Sequence, residues 1–126
     1  MIRVLFVDDE PKVLQGLRRS LRPLRTQWEI AFANGGHAAL EMLAASAFHV
    51  LVTDMRMPAM DGFALLNAVT ERYPHVLRIA LSGESEMAQN VRSTGMAHDY
   101  LLKPCVVNQL TGSIQRLLSN SSVTLP

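Results

Sequence analysis

An α/β domain built on a parallel sheet is what this 126-residue chain should form. Three observations predict it. Short apolar runs rich in β-branched residues alternate five times with stretches of helical periodicity, the pattern of a parallel sheet covered on both faces. Four of the runs stop at polar residues: Val4-Leu5-Phe6-Val7 at Asp8-Asp9-Glu10, Val50-Leu51-Val52-Thr53 at Asp54, Val76–Leu81 at Ser82-Gly83, and Tyr100-Leu101-Leu102 at Lys103-Pro104. The apolar fraction, 48%, fills a core without a metal or disulfide as a staple. Ligands of open α/β sheets gather at the carboxyl ends of the strands, so the polar residues there are the candidate site.

Residues 2–7 read as the first strand. Asp9 is expected to cap the helix that follows, with Pro11 in its first turn, where a missing N–H costs nothing. That helix should run to about Arg22, with Val13, Leu14, Leu17 and Leu21 on one face and Pro23 as its stop. Lys12, Arg18, Arg19 and Arg22 form its polar side, with Arg25 just beyond, and read as a solvated face. Trp28–Ala33 is the second strand, Asn34-Gly35-Gly36 a turn, and 37–46 a helix.

The third strand is His49–Thr53. A loop over 55–61 carries Pro58 and closes on Asp61-Gly62, a turn into a helix over 63–73 whose Phe63, Leu66 and Val69 point inward. The fourth strand is 76–81. A helix over 84–94 follows, with Gly95 as its C-cap candidate. Asp99–Leu102 is the last strand and 106–118 the last helix, weakened at Gly112 by about 1 kcal/mol relative to alanine. Residues 1–118 are therefore read as one domain and 119–126 as a tail or the start of a linker. Right-handed crossovers narrow the topology, but periodicity does not set the strand order.

Composition narrows the function. Twelve basic and eleven acidic residues leave a net charge of +1, with no sign of a basic nucleic-acid footprint. The lone cysteine, Cys105, forms no internal disulfide and fits a reducing compartment. No secretory signal and no run long enough to span a membrane is visible, so a cytoplasmic domain is expected. His37, His49, His75 and His98 lack metal-ligand spacing and read as structural or surface residues. Met55, Met57 and Met60 read as loop packing.

If the first and third strands are neighbours, Asp8, Asp9 and Asp54 come together. Each pair of carboxylates 4 Å apart then repels by about 4 kcal/mol at an effective dielectric of about 20. A hard divalent cation with oxygen ligands would neutralise them, and Mg²⁺ (or Mn²⁺) suits few carboxylates plus waters and phosphate oxygens. Lys103 adds a fixed positive charge and Ser82 a hydroxyl. Carboxylates, a metal, a lysine and a hydroxyl make up a site for a phosphoryl group, and Asp54, alone at its strand end, is the candidate nucleophile.

These stretches, in order, are Asp8-Asp9-Glu10-Pro11, Asp54–Gly62, Leu81-Ser82-Gly83 and Asp99–Pro104. Together they resemble the receiver domain of bacterial two-component response regulators, the CheY-like superfamily, over residues 2–118. The resemblance implies a flavodoxin-like (βα)5 fold of strand order 2-1-3-4-5. It implies phosphorylation of Asp54 by a sensor histidine kinase, with Asp9 and Asp8 as metal ligands and the Arg56 backbone carbonyl completing the shell. It makes Ser82 and Tyr100 the switch pair, Lys103 the phosphate-binding lysine, and the bond before Pro104 commonly cis. Arg56 and Glu84 would flank the phosphoryl group as an ion pair and lengthen its lifetime. The face over 84–118 would meet partners or a second copy of the chain. Residues 97–105 are similar to receivers fused to HD-type outputs, so an effector domain in a longer parent is an expected partner.

The domain should therefore catalyse only its own phosphorylation and dephosphorylation. Two other readings stand beside it: an aspartyl-phosphate-type phosphatase, and an interaction domain that works without phosphate. Position 56 is Arg, so the Asp-x-Asp strand end of the phosphatases is missing, and no glycine-rich nucleotide loop occurs.

Overall fold

The computed structural model describes residues 1–83, 95–103 and 107–120. Within them lie β1 (Ile2–Val7), α1 (Pro11–Ser20), a 3₁₀ turn (Arg22–Thr26), β2 (Trp28–Ala33), α2 (Gly36–Ala45), β3 (Val50–Asp54) and α3 (Gly62–Arg72). β4 (Leu77–Ser82), β5 (Asp99–Leu102) and α4 (Val107–Asn120) follow. The expected 84–94 helix, with Glu84, Met87 and Val91, lies outside the described residues, as do Pro104, Cys105 and Val106.

The five strands are all parallel, in the order β2-β1-β3-β4-β5. β3 and β4 are buried at every residue, which is why they read as largely apolar runs rather than as an alternation, with Arg78 the exception inside β4. Successive side chains still divide between the faces. Leu5, Val7, Leu51 and Ala80 join Ala39 and Leu43 of α2 and Leu65, Leu66 and Val69 of α3 in one core. Val4, Phe6, Val50, Val52 and Ile79 join Leu21 and the α4 residues Leu110 and Ile114 in the other, with Leu17 of α1 against them. Truncating one of these side chains, Leu51 for instance, should cost about 2–5 kcal/mol.

Several boundaries differ from expectation, each for a local reason. Glu10, not Asp9, is the N-cap of α1, because the Asp8 carboxylate turns the chain by accepting the Glu10 N–H at 3.0 Å. α1 ends at Ser20 rather than near Arg22, and Pro23 does not stop the chain's coil. It sits at the start of the 3₁₀ turn, where its lack of an N–H is tolerated. α3 buries Leu65 beside Leu66 and Val69, while Phe63 is only partly covered. α4 continues through Ser119 and Asn120, where the composition suggests a tail.

Candidate phosphoryl-transfer site

Register brings the acids together. Val7 pairs with Thr53, so the next residues, Asp8 and Asp54, leave β1 and β3 at the same level. Asp54 pairs with Leu81, and Ser82 with Leu102, so Ser82 and Lys103 reach the same edge from β4 and β5. The Lys103 N–H extends the ladder by donating to the Ser82 carbonyl at 2.7 Å.

Asp8, Asp9 and Asp54 each offer a carboxylate oxygen, and the three oxygens lie within 4.8 Å of one another. Asp8 and Asp54 are buried, and Asp9 is partly covered. Lys103 Nζ stands 3.1 Å from Asp54 Oδ1 and 3.6 Å from Asp8 Oδ2. Three carboxylates and one ammonium carry two formal negative charges in excess, and the donors are all oxygen. Both features fit a hard divalent cation.

The electrostatics follow from this crowding. Burial raises the Asp8 carboxyl above its ordinary value. The Glu10 N–H and Lys103 pull it back, and the charges of Asp54 and Asp9 push it further up. Burial alone would lower the Lys103 ammonium. The hydrogen bond and charge of Asp54, reinforced by Asp8, outweigh it and leave the lysine above its ordinary value, a fixed cation at neutral pH.

The loop after Asp54 is tightly built. The Arg56 N–H points at Asp54 Oδ1 at 3.4 Å. Gly62 donates to the Met55 carbonyl at 3.0 Å and comes so close that a Cβ there would lie 2.6 Å from Met55 Cα and 2.7 Å from the Asp54 carbonyl oxygen. Asp61 caps α3 by accepting the Ala64 N–H at 2.9 Å. Met55 and Met57 are buried in the α2–α3 core, and Met60 packs against it, as loop packing requires.

A family model for the response regulator receiver domain matches residues 4–115. The chain belongs to the response regulator receiver family. The receiver is 35% identical over 127 residues to the transcriptional regulatory protein YesN of Bacillus subtilis (strain 168), covering 94% of this chain and 33% of YesN. It thus spans about a third of that relative, and a quarter of Escherichia coli NtrC, a DNA-binding transcriptional regulator. Among solved structures it superposes on the signal receiver domain of an HD domain-containing protein from Pseudomonas fluorescens Pf-5. The TM-score is 0.85 and the identity 28%, over 94% of each chain. It also superposes on the response regulator TrrA of Thermotoga maritima in complex with Mg²⁺-BeF. There the TM-score is 0.82 and the identity 25%, over 93% of this chain and 99% of TrrA. The 2-1-3-4-5 order implied by the family resemblance is the order found.

The receiver brings Asp8, Asp9, Asp54 and Lys103 into one cluster. Ser82 is buried at the end of β4. Tyr100 lies further from this edge, in β5, and its hydroxyl accepts the Ala97 N–H at 3.3 Å. Two features escaped the sequence reading. Gly62 reads there only as a turn residue, because Asp-Gly before a helical pattern is a turn signal and the approach of Met55 and Asp54 is a tertiary contact. Arg78 is the other, a charged residue whose anomaly inside the apolar Val76–Leu81 run is visible in the sequence.

Proposed function

We propose that Asp54 is the phosphoacceptor of this receiver and takes its phosphoryl group from a sensor histidine kinase. The observation that carries this reading is the meeting of three carboxylates with Lys103 at one sheet edge. A free Asp54 oxygen attacks phosphorus in line as the donor's P–N bond breaks, and the kinase histidine leaves with the electron pair. Lys103, held beside Asp54, balances charge on the phosphoryl oxygens. Asp8, Asp9 and Asp54 would hold Mg²⁺ (or Mn²⁺), with the Arg56 carbonyl completing the shell, and the cation would neutralise further charge there. The Ser82 hydroxyl turns toward the new phosphoryl group, and Tyr100 follows as the switch.

The output lies in the rest of a longer protein or in a separate partner, and an HD-type effector is one form it takes. The HD domain-containing parent of the similar Pseudomonas fluorescens receiver favours that form. The 84–118 face, contacting an effector or a second copy of the chain, carries the signal without direct nucleic-acid contact. The setting is cytoplasmic. No helix among the described residues is long and apolar enough to cross a membrane.

Incubation with acetyl phosphate and Mg²⁺, followed by mass spectrometry, tests this. A single phosphoryl adduct on Asp54, lost in Asp54→Asn and with EDTA, is expected. Labelling elsewhere, or none, overturns the assignment. Turnover of a simple phosphomonoester would instead favour a phosphatase.

A further inference from the structure

Outside the acidic cluster, Arg78 is the one buried charged side chain among the described residues, with 7% of its surface exposed. It belongs to β4, two residues before Ala80. Ala80 pairs with Tyr100 of β5. Arg78 and Tyr100 therefore project from the same face of the sheet, Arg78 nearer the amino end. An apolar residue there would be buried without desolvating a charge. The guanidinium instead spends its donors on main-chain carbonyls: Nε on Met96 at 2.7 Å, and Nη1 on Val76 at 2.9 Å and Pro74 at 3.2 Å.

The Arg78 backbone grips the same stretch. Its N–H donates to His98 Nδ1 at 3.0 Å, and its carbonyl accepts the His98 N–H at 2.7 Å. Residues 96 and 98 are thus both tied to Arg78. Ala97, between them, donates its N–H to the Tyr100 hydroxyl at 3.3 Å. That bond is at the long end of the hydrogen-bond range, so it biases the ring position without locking it.

We infer that Arg78 is a positioning residue for Tyr100: by fixing 96–98 it builds the seat of the Tyr100 hydroxyl and sets how readily the ring leaves it. The inference rests on the reading of Asp54 as acceptor and Tyr100 as switch. A ring held in its seat is a resting state that phosphorylation must displace. A looser seat raises the population of the responsive state and tightens apparent binding of a phosphoryl mimic in proportion.

A double-mutant cycle with beryllofluoride in excess Mg²⁺, read by titration calorimetry on the whole chain, decides the matter. Arg78→Met and Tyr100→Phe should each lower the apparent dissociation constant by about fivefold, the worth of one ordinary hydrogen bond. Arg78→Met should add nothing in the Tyr100→Phe background. Independent, multiplying effects, or no effect of Arg78→Met alone, overturn the inference, since a merely structural arginine acts the same with or without the hydroxyl. Arg78→Lys, which keeps the cation but not the planar fork, carries the same cycle if the methionine variant does not fold. Failure of the parent chain itself to bind beryllofluoride would overturn the acceptor reading, and the inference with it.

Discussion

Lys103 Nζ and Asp54 Oδ1 stand 3.1 Å apart, one from the residue after β5 and the other from the last residue of β3. The same ammonium reaches Asp8 at 3.6 Å, so one cation bridges two buried carboxylates. Lys103→Met keeps the aliphatic stem and removes the charge. It should lower stability by about 1 kcal/mol at low salt, because two carboxylates lose their shared partner. It should also abolish labelling of Asp54 by acetyl phosphate. Chemical denaturation and mass spectrometry check the two effects separately.

Asp9→Asn should have the opposite effect on the metal-free protein. It removes one of three mutually repelling carboxylates, so the midpoint of unfolding in EDTA should rise. Mg²⁺ at tenfold over its dissociation constant should stabilise the parent by about 1.4 kcal/mol and leave Asp9→Asn nearly unmoved. Thermal melts with and without Mg²⁺ read this. An equal response to Mg²⁺ in the two proteins would remove Asp9 from the ligand set.

Two glycine-to-alanine changes should differ in sign. At Gly62 a Cβ would run into the backbone of Met55 and Asp54, which cannot move aside as a side chain can. Gly62→Ala should cost about 1–3 kcal/mol and slow phosphorylation by displacing Asp54. Gly112 lies inside α4 with nothing within 4 Å of where a Cβ would sit, so Gly112→Ala should add about 0.5–1 kcal/mol. Equilibrium denaturation of both variants is sufficient.

The amino end of the sheet is closed twice by one device. His49 accepts the Arg3 N–H on Nδ1 at 3.0 Å and donates its own N–H to the Arg3 carbonyl at 2.9 Å, just as His98 does with Arg78. A protonated imidazole has no lone pair to accept with. Burial lowers both pKa values, helped at His49 by the amino terminus, Arg3 and His75, and at His98 by Arg78. The unfolded chain therefore binds protons first. Stability should be full above the ordinary value of 6.5 and fall as pH drops below it, until the folded histidines protonate too. His49→Gln with His98→Gln keeps an acceptor without titrating. Denaturant midpoints at about pH 7.5 and about pH 5.5 should draw closer together in that variant. An unchanged gap would place the pH dependence elsewhere.

Arg56 is exposed, two residues after Asp54. If Arg56 and Glu84 pair over the acceptor and hinder water, Arg56→Ala and Glu84→Ala should each shorten the aspartyl phosphate's lifetime. Phosphate release after removal of the donor measures it, and unchanged lifetimes would refute the pairing.

The strands and their acidic tips were legible because a buried parallel strand leaves an uninterrupted apolar run, and the residue that breaks the run marks the sheet edge. Asp8, Asp54 and Ser82 are each located in this way. Strand order was not legible from periodicity, since every strand looks alike from within, and only the family resemblance supplied it. The cap at Glu10 was hidden because it depends on where the Asp8 carboxylate turns. The contacts of Arg78 were hidden for a similar reason. Its carbonyl partners come from residues 74, 76 and 96, and no spacing rule links the last of these to the others.

Met55, Met57 and Met60 of the loop after Asp54, the helices α2 and α3, and the ring of Tyr100 all belong to a single apolar slab. The other slab, beneath α1 and α4, contains none of them. Close-packed interiors pass on small displacements because there is little empty volume to absorb them. A displacement of the loop therefore has a side-chain route to the tyrosine within its own slab, without crossing the sheet.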